Sequence, residues 1–140
     1  MYLLDSNIFL ELLLDQEGAD EVERLLRSVP RERLHISEFS LYSVGIVLFR
    51  HKLFDVFIRF VDDLIITGGV HLLKLSAGDA SRLAEVAQRF GLDFDDAYQY
   101  VAAERYGLTI ISFEGDFDRT ARGRRTPKDL ILLKETATSN

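Results

Sequence analysis

The sequence predicts an α/β fold, a three-layer α/β/α sandwich around a central, mainly parallel sheet of about four to five strands. Two observations carry this. Short apolar runs of strand length alternate with longer runs of helical periodicity along the whole chain. That order closes as a parallel sheet with right-handed crossovers and helices on both faces. A hydrophobic content of 47% in 140 residues is enough to fill one substantial core, and no repeat, linker or low-complexity tract divides the chain. A single domain is therefore expected over residues 1–135, followed by a flexible C-terminal tail at residues 136–140.

The first strand is expected at residues 2–4, and Asp5, Ser6 and Asn7 behind it suit a turn and a helix cap. A helix over 8–14 follows and breaks at Gly18. A second, over 19–29, carries Val22, Leu25, Leu26 and Val29 at helical spacing until Pro30 stops it. The second strand falls at 34–36. Ser37 or Ser40 caps a third helix to about Phe49, and a fourth over 53–64 sets Phe57, Phe60, Val61 and Leu64 on one face. Residues 70–75 alternate weakly as a third strand, after which Ser76 or Asp79 caps a fifth helix that ends at Gly91. The sixth helix begins within Asp93, Asp95 and Asp96 and ends before Gly107. Residues 108–111 form a buried fourth strand with β-branched side chains, 112–118 a polar loop around Gly115, and 130–133 a last short strand after Pro127.

Composition narrows the chemistry. The absence of cysteine excludes disulfides, thiolate zinc sites and a cysteine nucleophile, and the three histidines are too scattered for a histidine-rich metal site. Any metal would be held by oxygen. No basic segment leads into a long apolar one at the amino terminus, and no apolar stretch reaches about 18 residues, so the sequence predicts a soluble, cytoplasmic protein without a membrane span. A formal charge of −6 argues against a protein that coats nucleic acid through a basic surface. It is compatible with a metal-dependent nuclease, whose carboxylates recruit phosphate through the cation.

Ligands of open α/β sheets bind outside the carboxyl ends of the strands. Asp5 follows the first strand, Ser37 and Glu38 the second, and Glu114 with Asp116 the fourth, while Asp96 lies in the first turn of the helix before that fourth strand. Converging carboxylates suit a hard, octahedral cation such as magnesium or manganese. Taken singly, Asp5 and Asn7 also read as helix caps, Asp93, Asp95 and Asp96 as an acidic helix start, and Glu114-Gly115-Asp116 as a polar turn. Their common placement is what points to a site.

Three segments together resemble the PIN domain, the ribonuclease fold of VapBC-type toxins, over residues 2–133. They are Tyr2-Leu3-Leu4-Asp5-Ser6-Asn7, Leu92-Asp93-Phe94-Asp95-Asp96-Ala97 with Ala102 and Ala103, and Ile110-Ile111-Ser112-Phe113-Glu114-Gly115-Asp116-Phe117. The resemblance implies a divalent-metal-dependent endoribonuclease in which Asp5, Asp96 and Glu114 or Asp116 hold magnesium or manganese. Ser6, Asn7 and Ser112 would orient those ligands, with Ser43 and Glu38 of the third helix beside them. Arg119, Arg122, Arg124, Arg125 and Lys128 would either hold the RNA backbone or form a solvated surface run. It also implies an antitoxin protein as partner and a homodimer, for which Tyr42, Phe49, Phe54 and Phe57 supply surplus aromatic surface.

The chain departs from the family pattern twice. Ser43 stands where the family places a Glu on the third helix, which removes one negative charge, and Glu38 lies five residues away, turned by about 140° along a helix. Glu114 replaces an Asp, keeping the charge and lengthening the reach by one methylene. The alternative to an active ribonuclease is a catalytically weakened PIN-like module that binds RNA or a protein partner. A response-regulator-like receiver is disfavoured, because Ser76, Ala77 and Gly78 follow the third strand where a phosphoacceptor Asp would be needed.

Overall fold

Four short strands, β1 (Tyr2–Leu4), β2 (Leu34–Ser37), β3 (His71–Leu73) and β4 (Thr109–Ile111), form one parallel sheet in the order β3-β2-β1-β4. The register pairs Tyr2 with both Leu34 and Thr109, and His35 with His71. The structure is a computed structural model that describes the backbone of residues 1–138 and the side chains of residues 1–132. The strand count lies within the expected range, and the sandwich architecture is as the sequence predicts.

Alternation along the strands sends Leu4, Ile36 and Ile111 to one face and Leu3, Leu73 and Ile110 to the other. On the first face they meet Ile8 and Phe9 of α1 (Ser6–Leu13), Val22 and Leu25 of α2 (Ala19–Ser28), Val44 and Leu48 of α3 (Glu38–Arg50) and Phe60 of α4 (Phe54–Phe60). The second face is covered by Val86 of α5 (Ala80–Phe90) and Ala97, Tyr100 and Val101 of α6 (Phe94–Tyr106). Each fully buried Leu, Ile or Phe contributes about 1.5–3 kcal/mol of apolar burial. Arg82 clamps Glu104 through two nitrogens, at 2.9 and 2.7 Å, and so ties α5 to α6.

The fourth helix continues as a π-helical turn over Val61–Ile66, closed by the Thr67 N–H bonding to the Asp62 carbonyl at 2.9 Å. A Cβ at Gly68 would collide with the Asp63 carbonyl, so this exit requires glycine. The fifth helix starts as a 3₁₀ turn with a reciprocal box between Ser76 and Asp79, and ends at Gly91, whose φ of +66° is left-handed.

The expected last strand at 130–133 is a helix. Residues 127–138 form α7 (Pro127–Thr138), with Leu130 and Ile131 buried. The start is a capping box: the Thr126 N–H donates to Asp129 Oδ2 at 2.9 Å, and the Asp129 N–H donates to Thr126 Oγ1 at 3.3 Å. Pro127 holds the first helical position, where no N–H is needed. A continuous apolar run does not distinguish strand from helix, and the box before it decides. The edge of β4 is closed by the backbone of Arg125, which donates to Ile110 O at 2.8 Å and accepts from the Ser112 N–H at 3.0 Å. The expected tail at 136–140 overlaps α7 through Thr138, and residues 139–140 lie outside the described residues.

Candidate metal centre

The carboxyl ends of β1 and β4 are adjacent in the sheet, and the Asp5 N–H bonds to the Ile111 carbonyl at 3.0 Å. This fixes Asp5 beside Ser112, the first residue past β4. Asp5 also caps α1, since its Oδ1 accepts from the Ser6 N–H at 2.8 Å. Capping and placement at the site are therefore the same geometry. Ser6 acts through its backbone.

The three aspartates of α6 divide their roles by position. Asp93 is the cap, its Oδ1 accepting from the Asp96 N–H at 3.0 Å. Asp95 is exposed. Asp96 is buried and turns towards Glu114 and Asp116, and oxygen atoms of the three lie within 4.8 Å of one another. Glu114 accepts from the Asp116 N–H at 3.0 Å and caps the 3₁₀ turn Gly115–Arg119. Asp116 pairs with Arg119 at 2.7 Å. Asp5 lies beside this group, close enough to act on Asp96 through its charge.

Ser112 joins these parts. Its hydroxyl donates to Asp5 Oδ2 at 2.7 Å and accepts from the Glu114 N–H at 2.9 Å and from Asn7 Nδ2 at 3.2 Å. Asn7 Oδ1 also accepts from the Phe113 N–H at 3.3 Å, which holds the loop after β4 against α1.

The electrostatics are those of crowded carboxylates. Burial raises the Asp96 carboxyl, and the charges of Asp93, Asp5, Glu114 and Asp116 raise it further, to about 7. Burial also raises Asp5, opposed by its hydrogen bonds from Ser112, Ser6 and Gln99. Neutralising this repulsion is what a divalent cation does. The donor set is all oxygen, as magnesium and manganese prefer, and the spacing is close to the span of about 4.2 Å across an octahedral ion with ligands at 2.1 Å.

Gln99 is not among the residues that the sequence marks for the site. It is 2% exposed on α6, one turn beyond Asp96, and its Nε2 donates to Asp5 Oδ1 at 3.1 Å and to the Ser40 hydroxyl of α3. Its Oε1 is buried without a partner among the described residues. The signal in the sequence is one amide within the otherwise apolar and aromatic stretch Ala97 to Ala103.

The remaining expected residues lie around this centre. Glu38 accepts from the Tyr42 hydroxyl at 2.8 Å on the exposed side of α3 and is not grouped with Asp96. Ser43 is half-buried, one turn beyond Ser40. Arg119 also donates to the carbonyls of Phe90 and Gly91, at 3.3 and 2.8 Å, and Arg122 to that of Leu108 at 3.1 Å. Arg124 donates to the Ser112 carbonyl at 3.0 Å and to Asp118. Arg125 and Lys128 are exposed.

No curated protein matches the chain. Solved structures resemble it over most of its length. A toxin–antitoxin complex from Klebsiella pneumoniae gives a TM-score of 0.72 at 22% identity, covering 91% of this chain and 98% of that one. FitAcB from Neisseria gonorrhoeae gives 0.73 at 20% identity, covering 91% and 99%. VapC20 of Mycobacterium tuberculosis, a sarcin–ricin loop cleaving toxin, gives 0.75 at 17% identity, covering 87% and 96%. At these identities the likeness establishes the fold. The family model for the PIN domain matches residues 2–123, and the chain belongs to the PIN domain family.

Proposed function

We propose that this protein is a divalent-metal-dependent endoribonuclease that hydrolyses RNA phosphodiester bonds, and that it is the toxin of a toxin–antitoxin pair. The observation that carries the reading is the convergence of Asp96, Glu114 and Asp116 on one point beside buried Asp5. Asp96, Glu114 and Asp116 hold the cation, with Asp5 completing the site from the end of β1. When bound, magnesium or manganese polarises the phosphoryl group and acidifies the attacking water. Ser112 and Asn7 orient Asp5 and the loop that carries Glu114. Arg125 and Lys128 are exposed beyond that loop and suit contact with the RNA backbone.

The toxin role draws support from the fold shared with the Klebsiella toxin–antitoxin complex and with VapC20, a sarcin–ricin loop cleaving toxin. An antitoxin and a second copy of the chain are the proposed protein partners, and the proposed setting is cytoplasmic. Among the described residues no helix is long and apolar enough to cross a membrane.

A second reading is favoured by one observation. With Ser43 on α3 and Glu38 bonded to Tyr42, the third helix contributes no carboxylate to the cluster. A module that binds RNA without cutting it follows from that loss of charge. Incubating purified protein with RNA and manganese separates the readings. Cleavage that disappears with EDTA and in Asp96→Asn supports the nuclease, whereas RNA that is bound yet intact at saturating manganese supports the binding module.

A further inference from the structure

We propose that Gln99 is a positioning residue that fixes Asp5 for cation binding. The inference rests on the metal-site reading above and adds to it a residue with a separable signature.

Gln99 bridges three elements. Its Nε2 meets Asp5 at the end of β1 and Ser40 on α3, while its backbone belongs to α6, which also carries Asp96. The nitrogen must be the atom facing Asp5, because the amide oxygen in its place would confront a carboxylate oxygen at 3.1 Å. Oδ1 of Asp5 then accepts from both the Ser6 N–H and Gln99, which fills its two acceptor positions. Oδ2 accepts from the Ser112 hydroxyl and keeps one position free. With both oxygens held, the carboxylate cannot rotate, and the free position on Oδ2 is set before a cation arrives. Outer hydrogen bonds of this kind orient metal-binding carboxylates.

Packing does not account for this residue. Ala97, Tyr100, Val101, Ala102 and Ala103 around it on α6 are buried and largely apolar, and Gln99 itself is 2% exposed. Its Oε1 has lost water without gaining a partner among the described residues. An amide oxygen buried without a partner costs stability, which packing alone gives no reason to carry. The hold on Asp5 accounts for an amide at this position.

The test uses Gln99→Met, which keeps length and flexibility and removes both polar atoms, with Gln99→Leu as a second variant should the first misfold. Thermal unfolding in EDTA gives metal-free stability, and manganese titration followed by electron paramagnetic resonance of the free ion gives affinity. The expected result is manganese affinity about 10-fold or more weaker than in wild type, whichever way the melting temperature in EDTA moves, because the variant relieves the unpartnered Oε1 but also strips a donor from Asp5 and Ser40. A purely structural role changes the melting temperature and leaves manganese affinity unchanged, and that result overturns the proposal. Wild-type protein that binds no manganese defeats the metal-site reading itself. Wild-type binding matched by the variant defeats only the role of Gln99.

Discussion

The Ser112 hydroxyl lies 2.7 Å from Oδ2 of Asp5, joining residues 107 positions apart in sequence. The Ser112 hydroxyl oxygen also accepts the Glu114 N–H at 2.9 Å, so one side chain aligns a residue from each of the two adjacent strand ends. Ser112→Ala leaves Asp5 Oδ2 and the Glu114 N–H without that partner in a buried setting. The expected cost is about 1–3 kcal/mol of stability, measured by chemical denaturation, with manganese affinity weaker by about 10- to 100-fold. Unchanged affinity would show that Asp5 is held well enough by Ser6 and Gln99 alone.

Asp96 sets a pH dependence whose sign follows from its raised pKa. The folded state holds its proton to about 7, whereas the unfolded chain releases it near 3.8. Between those values the folded protein binds more protons, so metal-free stability falls as pH rises, and the full cost applies above about 7. Asp96→Asn removes this term. With allowance for partial solvent screening, the variant should be about 2 kcal/mol more stable than wild type at pH 7.5 without metal. The difference should vanish as pH falls towards 4. Parallel melting curves across that range would contradict the crowded-carboxylate picture.

Much of the fold is legible locally because strand and helix periods alternate cleanly and the caps at Asp5, Ser37 and Asp93 stand at the element boundaries. The end of the chain misleads for a local reason as well: Leu130 and its apolar neighbours fit either period, and the Thr126–Asp129 box that makes them a helix is easily overlooked. At the site, carboxylates behind strand ends are visible in sequence, since topology alone brings such positions together. Gln99 is not, because its role depends on Ser40 and Asp5, 59 and 94 residues away. Arg119, Arg122 and Arg124 look like a free basic run, yet each bonds within the fold to carbonyls or carboxylates. Charge in a sequence does not reveal which partner has already taken it.

The outer face of α3 and α4 should mediate self-association. Tyr42, Ile46, Phe49 and Phe57 line an apolar cavity of about 610 Å³, and Ile46 is 54% exposed. Contiguous apolar surface of this kind is characteristic of interfaces. Light scattering should return twice the chain mass of 16.0 kDa, and Ile46→Arg should shift it to the single-chain value while circular dichroism stays unchanged. A wild-type monomer in concentrated solution would reject the dimer, and a dimeric Ile46→Arg would place the interface elsewhere.

Position 43 tests how complete the cation site is. Ser40 touches Gln99 inside the site, and position 43 lies one turn further along the same side of α3. Glu38 is engaged by Tyr42 and leaves that side of the centre without a carboxylate. Ser43→Glu therefore adds a negative charge facing a group that already repels itself. Without metal the variant should be less stable than wild type at pH 7.5, because one more carboxylate joins the cluster. With manganese the sign reverses: an added oxygen ligand strengthens a hard-cation site. A unit charge pair at about 4 Å is worth roughly 4 kcal/mol at an effective dielectric of 20, so a tenfold gain in affinity survives a large loss to desolvation. RNA cleavage, where present, should rise with it. Tighter binding with lower activity would mean that the new carboxylate crowds the phosphate, and no change in either metal-free stability or affinity would mean that position 43 does not face the carboxylates.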